Sequence, residues 1–160
     1  MPLDRDFIGR RFVADTPFLV GREHIRQFAL AIREDSPLCH DLDAAKAAGY
    51  IDLIAPPTFL TTLGMWRSVV PLHDPALGLD YSLVVHGEQR YSLRRPVVAG
   101  DEIIVAGMIS GIRNAGRNEL IIIDYEFATT GGELLATARS SLVSRGTAVA
   151  ESGTAGVENG

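Results

Sequence analysis

The second half of the chain alternates apolar and polar residues. In NELIIIDYEFATT, Ile121, Ile123, Tyr125 and Phe127 alternate with Ile122, Asp124, Glu126 and Ala128, the period of two expected of a strand with one wetter face. SLVVHGEQRYSLRRPV, DEIIVAGMISGIR and GELLATARSSLVSR read as strands too. AGD at 99–101, NAGRN at 114–118 and TGG at 130–132 carry the turn residues that join antiparallel neighbours. The first half has helical spacing instead. After a short strand at 18–20, Gly21 opens REHIRQFALAIRE, where Ile25, Phe28, Ala29 and Ile32 share one face, and Pro37 is expected to stop it. A short helix is predicted in DLDAAKAAG, capped by Asp41 or Asp43 and closed at Gly49. IAPPTFLTTLGMWRSVV is apolar on nearly every side from Phe59 to Val70, the mark of a helix wrapped by the rest of a fold, with Pro57 tolerated in its first turn. The expected class is α+β, an antiparallel sheet around a central apolar helix.

Composition narrows the class. With 160 residues, 46% hydrophobic, 22% charged and a net charge of -5, the chain reads as one globular domain over 1–147. The glycine-rich stretch 148–160 is expected to be a disordered tail. No basic stripe offers itself to a phosphate backbone, so nucleic acid is not an expected partner. Cys39, the sole cysteine, excludes an intramolecular disulfide and fits a reducing compartment. With no signal-peptide core and no apolar run of bilayer length, the expected location is the cytoplasm, without membrane insertion. No zinc-spaced ligand set, phosphate loop or nucleophile elbow occurs, and neither metal nor cofactor is expected.

Chemistry concentrates in two places. REDSPLCH, residues 33–40, holds the carboxylates Glu34 and Asp35, the Ser36 hydroxyl, a turn at Pro37, the Cys39 thiol and the His40 imidazole. Carboxylate with imidazole is a pairing suited to general acid/base work; a loop kept for its shape, with His40 solvated or capping, is the alternative. The second place is His86, Gly87, Glu88 and Gln89. Two residues apart on an unbroken strand, His86 and Glu88 share a face and form another candidate acid/base pair. Hydrogen bonding that fixes the strand or an interface is the other reading.

The run REDSPLCHDLDAAKAAGY, with IAPPTF, HGEQRYSLRRPVVAGD and the last two strands, resembles the MaoC-like hydratase and dehydratase family of the hot-dog fold over roughly 10–145. It looks closest to the single-hot-dog branch that includes the substrate-binding subunits of mycobacterial-type hydroxyacyl-carrier-protein dehydratases. The resemblance implies a long antiparallel sheet wrapped around a helix and paired into a double hot dog. It implies an acyl thioester substrate, carried on coenzyme A or a carrier protein, and assembly as a homodimer or as a heterodimer with a catalytic hot-dog subunit.

Catalytic members carry a loop of the form Asp-x-Asn-Pro-Leu/Ile-His. Aligned on the proline, this chain has Glu34 for Asp, Ser36 for Asn and Cys39 for His; a second register pairs Asp35 with His40 but loses the Asn and Pro positions. At the start of the central helix, where the family offers a glycine amide to the thioester oxygen, stand Ile54, Ala55, Pro56 and Pro57. Proline has no amide hydrogen, Thr58 is the substitute donor, and losing one oxyanion donor costs about 2.7–4 kcal/mol. By resemblance, His40, Asp35 and Glu34 are the catalytic candidates, and Ser36, Cys39, Pro57, Thr58, Phe59, His86 and Glu88 the substrate-binding ones. Phe59, Leu60, Met65 and Trp66 are expected in the core, the default for such an apolar helix, or along an acyl tunnel; Arg90, Arg94 and Arg95 are expected near a phosphate or on a solvated strand face. The expected function is that of an acyl-thioester-binding subunit of an (R)-specific hydratase/dehydratase with a degenerate site of its own. The alternatives are a self-sufficient homodimeric hydratase, and a thioesterase or non-enzymatic acyl-thioester binder.

Overall fold

A computed structural model describes residues 1–66 and 69–148. The expected tail at 149–160 and the side chains of Met65 and Trp66 lie outside the described residues. In chain order the elements are β1 (Arg11–Val13), β2 (Phe18–Leu19), α1 (Arg22–Ala31), α2 (Leu42–Ala47), α3 (Leu60–Trp66), β3 (Val84–Leu93), β4 (Glu102–Ala115), β5 (Asn118–Thr129) and β6 (Leu134–Ser144). All pairings are antiparallel, in the order β1-β4-β5-β6-β3, with β2 also on β4.

The period-two pattern of β5 decides which face is covered. Ile121, Ile123, Tyr125 and Phe127 are buried, and Ile122, Asp124, Glu126 and Ala128 are not. The buried row meets Phe59, Leu60 and Leu63 from α3 and its entry, and Ile25 and Ala29 from α1, in one apolar core. The hairpin turns at 116–117 and 130–133 fall where glycine punctuates the sequence, and Gly116 and Gly132 take positive φ there.

AGD at 99–101 is different: it does not join neighbouring strands. β3 lies at one end of the sheet and β4 three places away, so 94–101 is a crossover past the ends of β5 and β6. It is pinned by Arg95, which donates to both Asp101 carboxylate oxygens at 2.9 Å and to Glu133 in the β5–β6 turn at 2.9 and 3.0 Å. Asp101 also accepts the Val98 amide at 2.8 Å.

Two helix boundaries differ from the sequence expectation. α1 ends before Pro37 acts: Arg33 takes a left-handed φ of 60°, the Arg33 amide donates to Leu30 O and the Glu34 amide to Ala29 O. That is a Schellman closure with arginine where glycine is usual, and it leaves Ile32 exposed. The central helix is shorter than its apolar run, because the Phe59 amide donates back to Pro56 O and the Thr61 amide to Thr58 O, tight turns that delay the helix to Leu60. α2 forms as expected: Asp41 caps it by accepting the Asp43 and Ala44 amides, and Gly49 closes it with φ 92°.

The N-terminal segment is fastened by one buried carboxylate. Glu119 is fully buried; it accepts the Leu3 amide at 3.0 Å and Arg5 Nη1 at 2.7 Å. Removing it orphans the buried Leu3 N–H and takes from Arg5 its carboxylate partner, leaving the Leu3 carbonyl and Asn114 as acceptors, so Glu119→Ala is expected to cost about 1–3 kcal/mol. An unchanged urea midpoint would show that the clamp adds nothing to stability.

Candidate functional site

The loop 33–40 is bonded chiefly to itself. The Glu34 carboxylate accepts the Ser36 amide at 2.9 Å, and His40 Nε2 donates to the Glu34 backbone carbonyl at 2.7 Å. Pro37–Cys39 forms a 3-10 turn, the His40 carbonyl accepts Arg26 Nε at 3.1 Å, and the Ile54 amide donates to Leu38 O. Because a carbonyl can only accept, the short His40 contact places a proton on Nε2 and uses the imidazole as a brace. Cys39 is 3% exposed within the core; burial, then the Glu34 charge, pushes its thiol upward, which keeps it neutral at ordinary pH. Asp35 is exposed and makes no hydrogen bond among the described residues.

At the entry to α3, Pro57 and Thr58 are exposed and Pro56 is buried. Pro57 brings no N–H, and the Thr58 amide and hydroxyl are unbonded among the described residues. Phe59 points into the core, 2% exposed and edge-on to Phe28 at 5.6 Å.

His86 and Glu88 do not share a face, contrary to the expectation for a regular strand. The β3–β6 register shifts between them: His86 lies opposite Leu142 and Glu88 opposite Ser141, with Gly87 as the extra residue of a bulge. A Cβ at Gly87 would stand 3.3 Å from Ser141 O, which explains why the bulge falls on glycine. Beyond it, Glu88 pairs with Arg90 at 2.6 Å on the exposed side, while His86, Gln89 and Tyr91 turn to a cavity. The sequence left Arg90, Arg94 and Arg95 either near a phosphate or on a solvated strand face; Arg90 and Arg95 are paired with carboxylates.

That cavity, of about 400 Å³, lies between α3, the inner face of β3, β5 and β6, and the connection that brings Val70, Leu72, His73 and Tyr81 across it. Its floor follows from strand register. Across the sheet Gly107 faces Tyr125, Tyr125 faces Ala138, and Ala138 faces Tyr91, so large rings alternate with residues too small to fill the space between them. Gly107 is required: a Cβ there would lie 2.6 Å from Val70 Cγ2 and 3.1 Å from the Tyr125 ring. His73 and Tyr81, both exposed, stack at 4.2 Å at the outer end.

The polar groups of the cavity form two hydrogen-bonded sets, the exposed stacked pair His73 and Tyr81, and the buried Tyr125. Thr61 Oγ1 and Tyr91 OH bond to each other; His86 Nε2 lies 3.3 Å from both Gln89 Oε1 and Ser140 Oγ. Tyr125, 9% exposed, makes no hydrogen bond among the described residues, and its phenol is pushed up to about 12 by burial and by Tyr81 and Tyr91 nearby. Burial also raises Tyr91, against the opposing effect of its Thr61 bond, and raises Tyr81.

Of the ten candidate site residues, only His86 lines this cavity; Glu34, Asp35, Ser36, Cys39, His40, Pro57, Thr58, Phe59 and Glu88 do not. Tyr91, Tyr125, Thr61 and Ser140 were not singled out from the sequence as site residues, and Gln89 was named only as part of the His86–Gln89 cluster. The available signal was a tyrosine on the inward phase of two strands, which core packing explains equally well. Among the described residues no three His, Cys, Asp or Glu side chains are placed to hold a metal ion, and no helix is long and apolar enough to cross a membrane.

Comparison with known proteins gives the chain its context. The family model described as FAS1-like, dehydratase domain region, matches residues 6–138. The UPF0336 protein of a Parafrankia strain is 61% identical over 148 residues, covering 92% of this chain and 98% of that protein. The HadBC (3R)-hydroxyacyl-ACP dehydratase complex of Mycobacterium tuberculosis contains a chain that superposes with a TM-score of 0.78 at 28% identity, covering 88% of this chain and 99% of its own. A protein described as a MaoC-like dehydratase superposes with a TM-score of 0.80 at 29% identity, covering 87% of this chain and 42% of its own.

Proposed function

The chain belongs to the FAS1-like dehydratase domain family, with the MaoC-like hot-dog fold, and from that premise we propose that it is the acyl-thioester-binding subunit of an (R)-specific enoyl hydratase/3-hydroxyacyl dehydratase. The observation that carries the reading is the separation of the apolar cavity from the acid/base loop. The groups that resemble a catalytic dyad are spent on the loop: His40 on the Glu34 carbonyl, Glu34 on the Ser36 amide, and Cys39 in the core. Pro57 withholds an oxyanion donor from the helix entry. What remains is a cavity of a size suited to an acyl chain.

Catalysis then falls to a second hot-dog subunit that supplies the acid, the base and the helix-start amide. Two features support such a partner. β3 ends the sheet with its outer edge on no described strand, and such edges invite a neighbouring strand. The similar chain of 28% identity comes from a two-component dehydratase. The thioester carrier is coenzyme A or an acyl carrier protein. A cytoplasmic setting agrees with the free, buried Cys39.

The deciding experiment measures hydration of crotonyl-CoA by the purified chain alone and after co-expression with a catalytic hot-dog subunit. The lone chain is expected to be slower by about a hundredfold or more, the scale of a lost oxyanion donor. High turnover by the lone chain, abolished in His40→Ala, would replace this reading with a homodimeric hydratase. Release of free thiol from an acyl thioester without a partner would replace it with a thioesterase.

A further inference from the structure

We propose that the cavity selects acyl chains carrying an uncharged oxygen substituent, a hydroxyl or keto group, on their buried part, and that the Tyr125 hydroxyl reads it. The inference rests on the acyl-binding reading above and adds the class of acyl group.

A cavity for plain hydrocarbon is best walled in carbon, because a hydroxyl in an apolar wall costs about 1–3 kcal/mol unless it finds a partner. Here the wall is apolar at Leu60, Ile123, Phe127 and Leu142, yet a phenol is set among them. Thr61 is bonded to Tyr91, and His86 lies near Gln89 and Ser140, while His73 and Tyr81 are exposed and stack on each other, so Tyr125 is the buried polar group left over. The Tyr125 residue is about nine-tenths buried and has no protein partner among the described residues, and its hydroxyl is open to the cavity rather than sealed in the wall.

Packing does not demand the hydroxyl. Two residues along the same face of β5, Phe127 offers a plain ring stacked against Tyr125 at 6.3 Å. Space for the Tyr125 ring is kept by Gly107 opposite it in β4, where an added Cβ would lie 3.1 Å from the ring.

The charge of the ligand group follows from the same surroundings. Burial and the neighbouring phenols hold the Tyr125 proton, so the group donates to a keto oxygen and donates to or accepts from a hydroxyl. No Lys or Arg lines the cavity among the described residues and its two histidines, His73 and His86, are exposed, so a carboxylate beside the buried Tyr125 has no permanent cation to meet it.

The test is calorimetric titration of the purified protein with decanoyl-CoA, ω-hydroxydecanoyl-CoA and mid-chain ketodecanoyl-CoA. Wild type is expected to bind at least one oxygenated thioester about tenfold more tightly than decanoyl-CoA, as a site with an unpaired polar group does. Tyr125→Phe is expected to erase that preference, so that the oxygenated thioesters bind no more tightly than decanoyl-CoA. Wild type that binds decanoyl-CoA at least as well as both oxygenated probes would overturn the inference and leave the acyl-binding reading standing. A preference that survives in Tyr125→Phe would overturn the assignment to Tyr125. No binding of any of the three would overturn both. The wild-type comparison stands by itself if the variant fails to fold.

Discussion

Phe59→Ala is expected to lower the free energy of unfolding by about 3–5 kcal/mol, the range for truncating a fully buried aromatic. Phe59 sits where α1, the proline turn and α3 converge, 2% exposed and edge-on to Phe28, with its amide tied back to Pro56 O. Loss of the ring removes both the buried apolar area and the edge-to-face contact, and a proline-held turn collapses poorly into the space left. In a chain of this length the midpoint of thermal unfolding should fall by roughly 10 °C or more. Phe59→Leu, nearer in volume, should cost far less. Urea unfolding of the two variants beside wild type checks this. Losses of less than about 1 kcal/mol in Phe59→Ala would mean that the site closes up on truncation, or that the ring faces a ligand rather than the core.

The second large effect is alkaline. An unfolded tyrosine titrates near 10, whereas the buried Tyr125 phenol is held up to about 12. Stability from the neutral phenol is therefore complete below pH 10 and falls as the pH rises toward the folded value, because the unfolded chain alone sheds the proton there. A shift of that size corresponds to a loss on the order of 3 kcal/mol for Tyr125. Tyr91 and Tyr81, raised for the same reason, deepen the loss. Urea midpoints measured from about pH 9 to about pH 11.5 should drop steadily in wild type and markedly less in Tyr125→Phe. Equal slopes would show that the Tyr125 hydroxyl already reaches water.

Much of the fold was legible because its long strands obey one rule throughout. The alternation of β5 gave the correct inward face, and the glycines at 116 and 132 marked two real hairpins. Where local grammar has two meanings, reading failed. AGD looks like a hairpin turn, but only the order of the sheet makes it a crossover. A left-handed arginine ended α1 before the proline reached it, since side-chain type does not forbid what a Schellman closure stabilises.

The site was less legible for a related reason. REDSPLCH drew notice because acids, thiol and imidazole are neighbours in sequence, and in space they brace one another and the core. Tyr91 and Tyr125 are 34 positions apart and meet only because Ala138 lies between them in the sheet. No pattern within one strand reports a cavity made by small residues in its neighbours. The bulge at Gly87 likewise undid the pairing of His86 with Glu88, which assumed unbroken alternation.

That bulge bears on how the polypeptide survives before it is assembled. Ten consecutive residues of straight edge strand would be a template for any extended chain, including copies of itself. β3 is kinked near its start and carries the Glu88–Arg90 pair outside the kink, so an incoming strand must match both an irregular backbone and alternating charge. The HGEQR segment, which reads in sequence like a fragment of chemistry, thus works as a gatekeeper against fibre-like stacking. The same edge that a matching subunit can cover is thereby a poor template for a strand of mismatched register and charge.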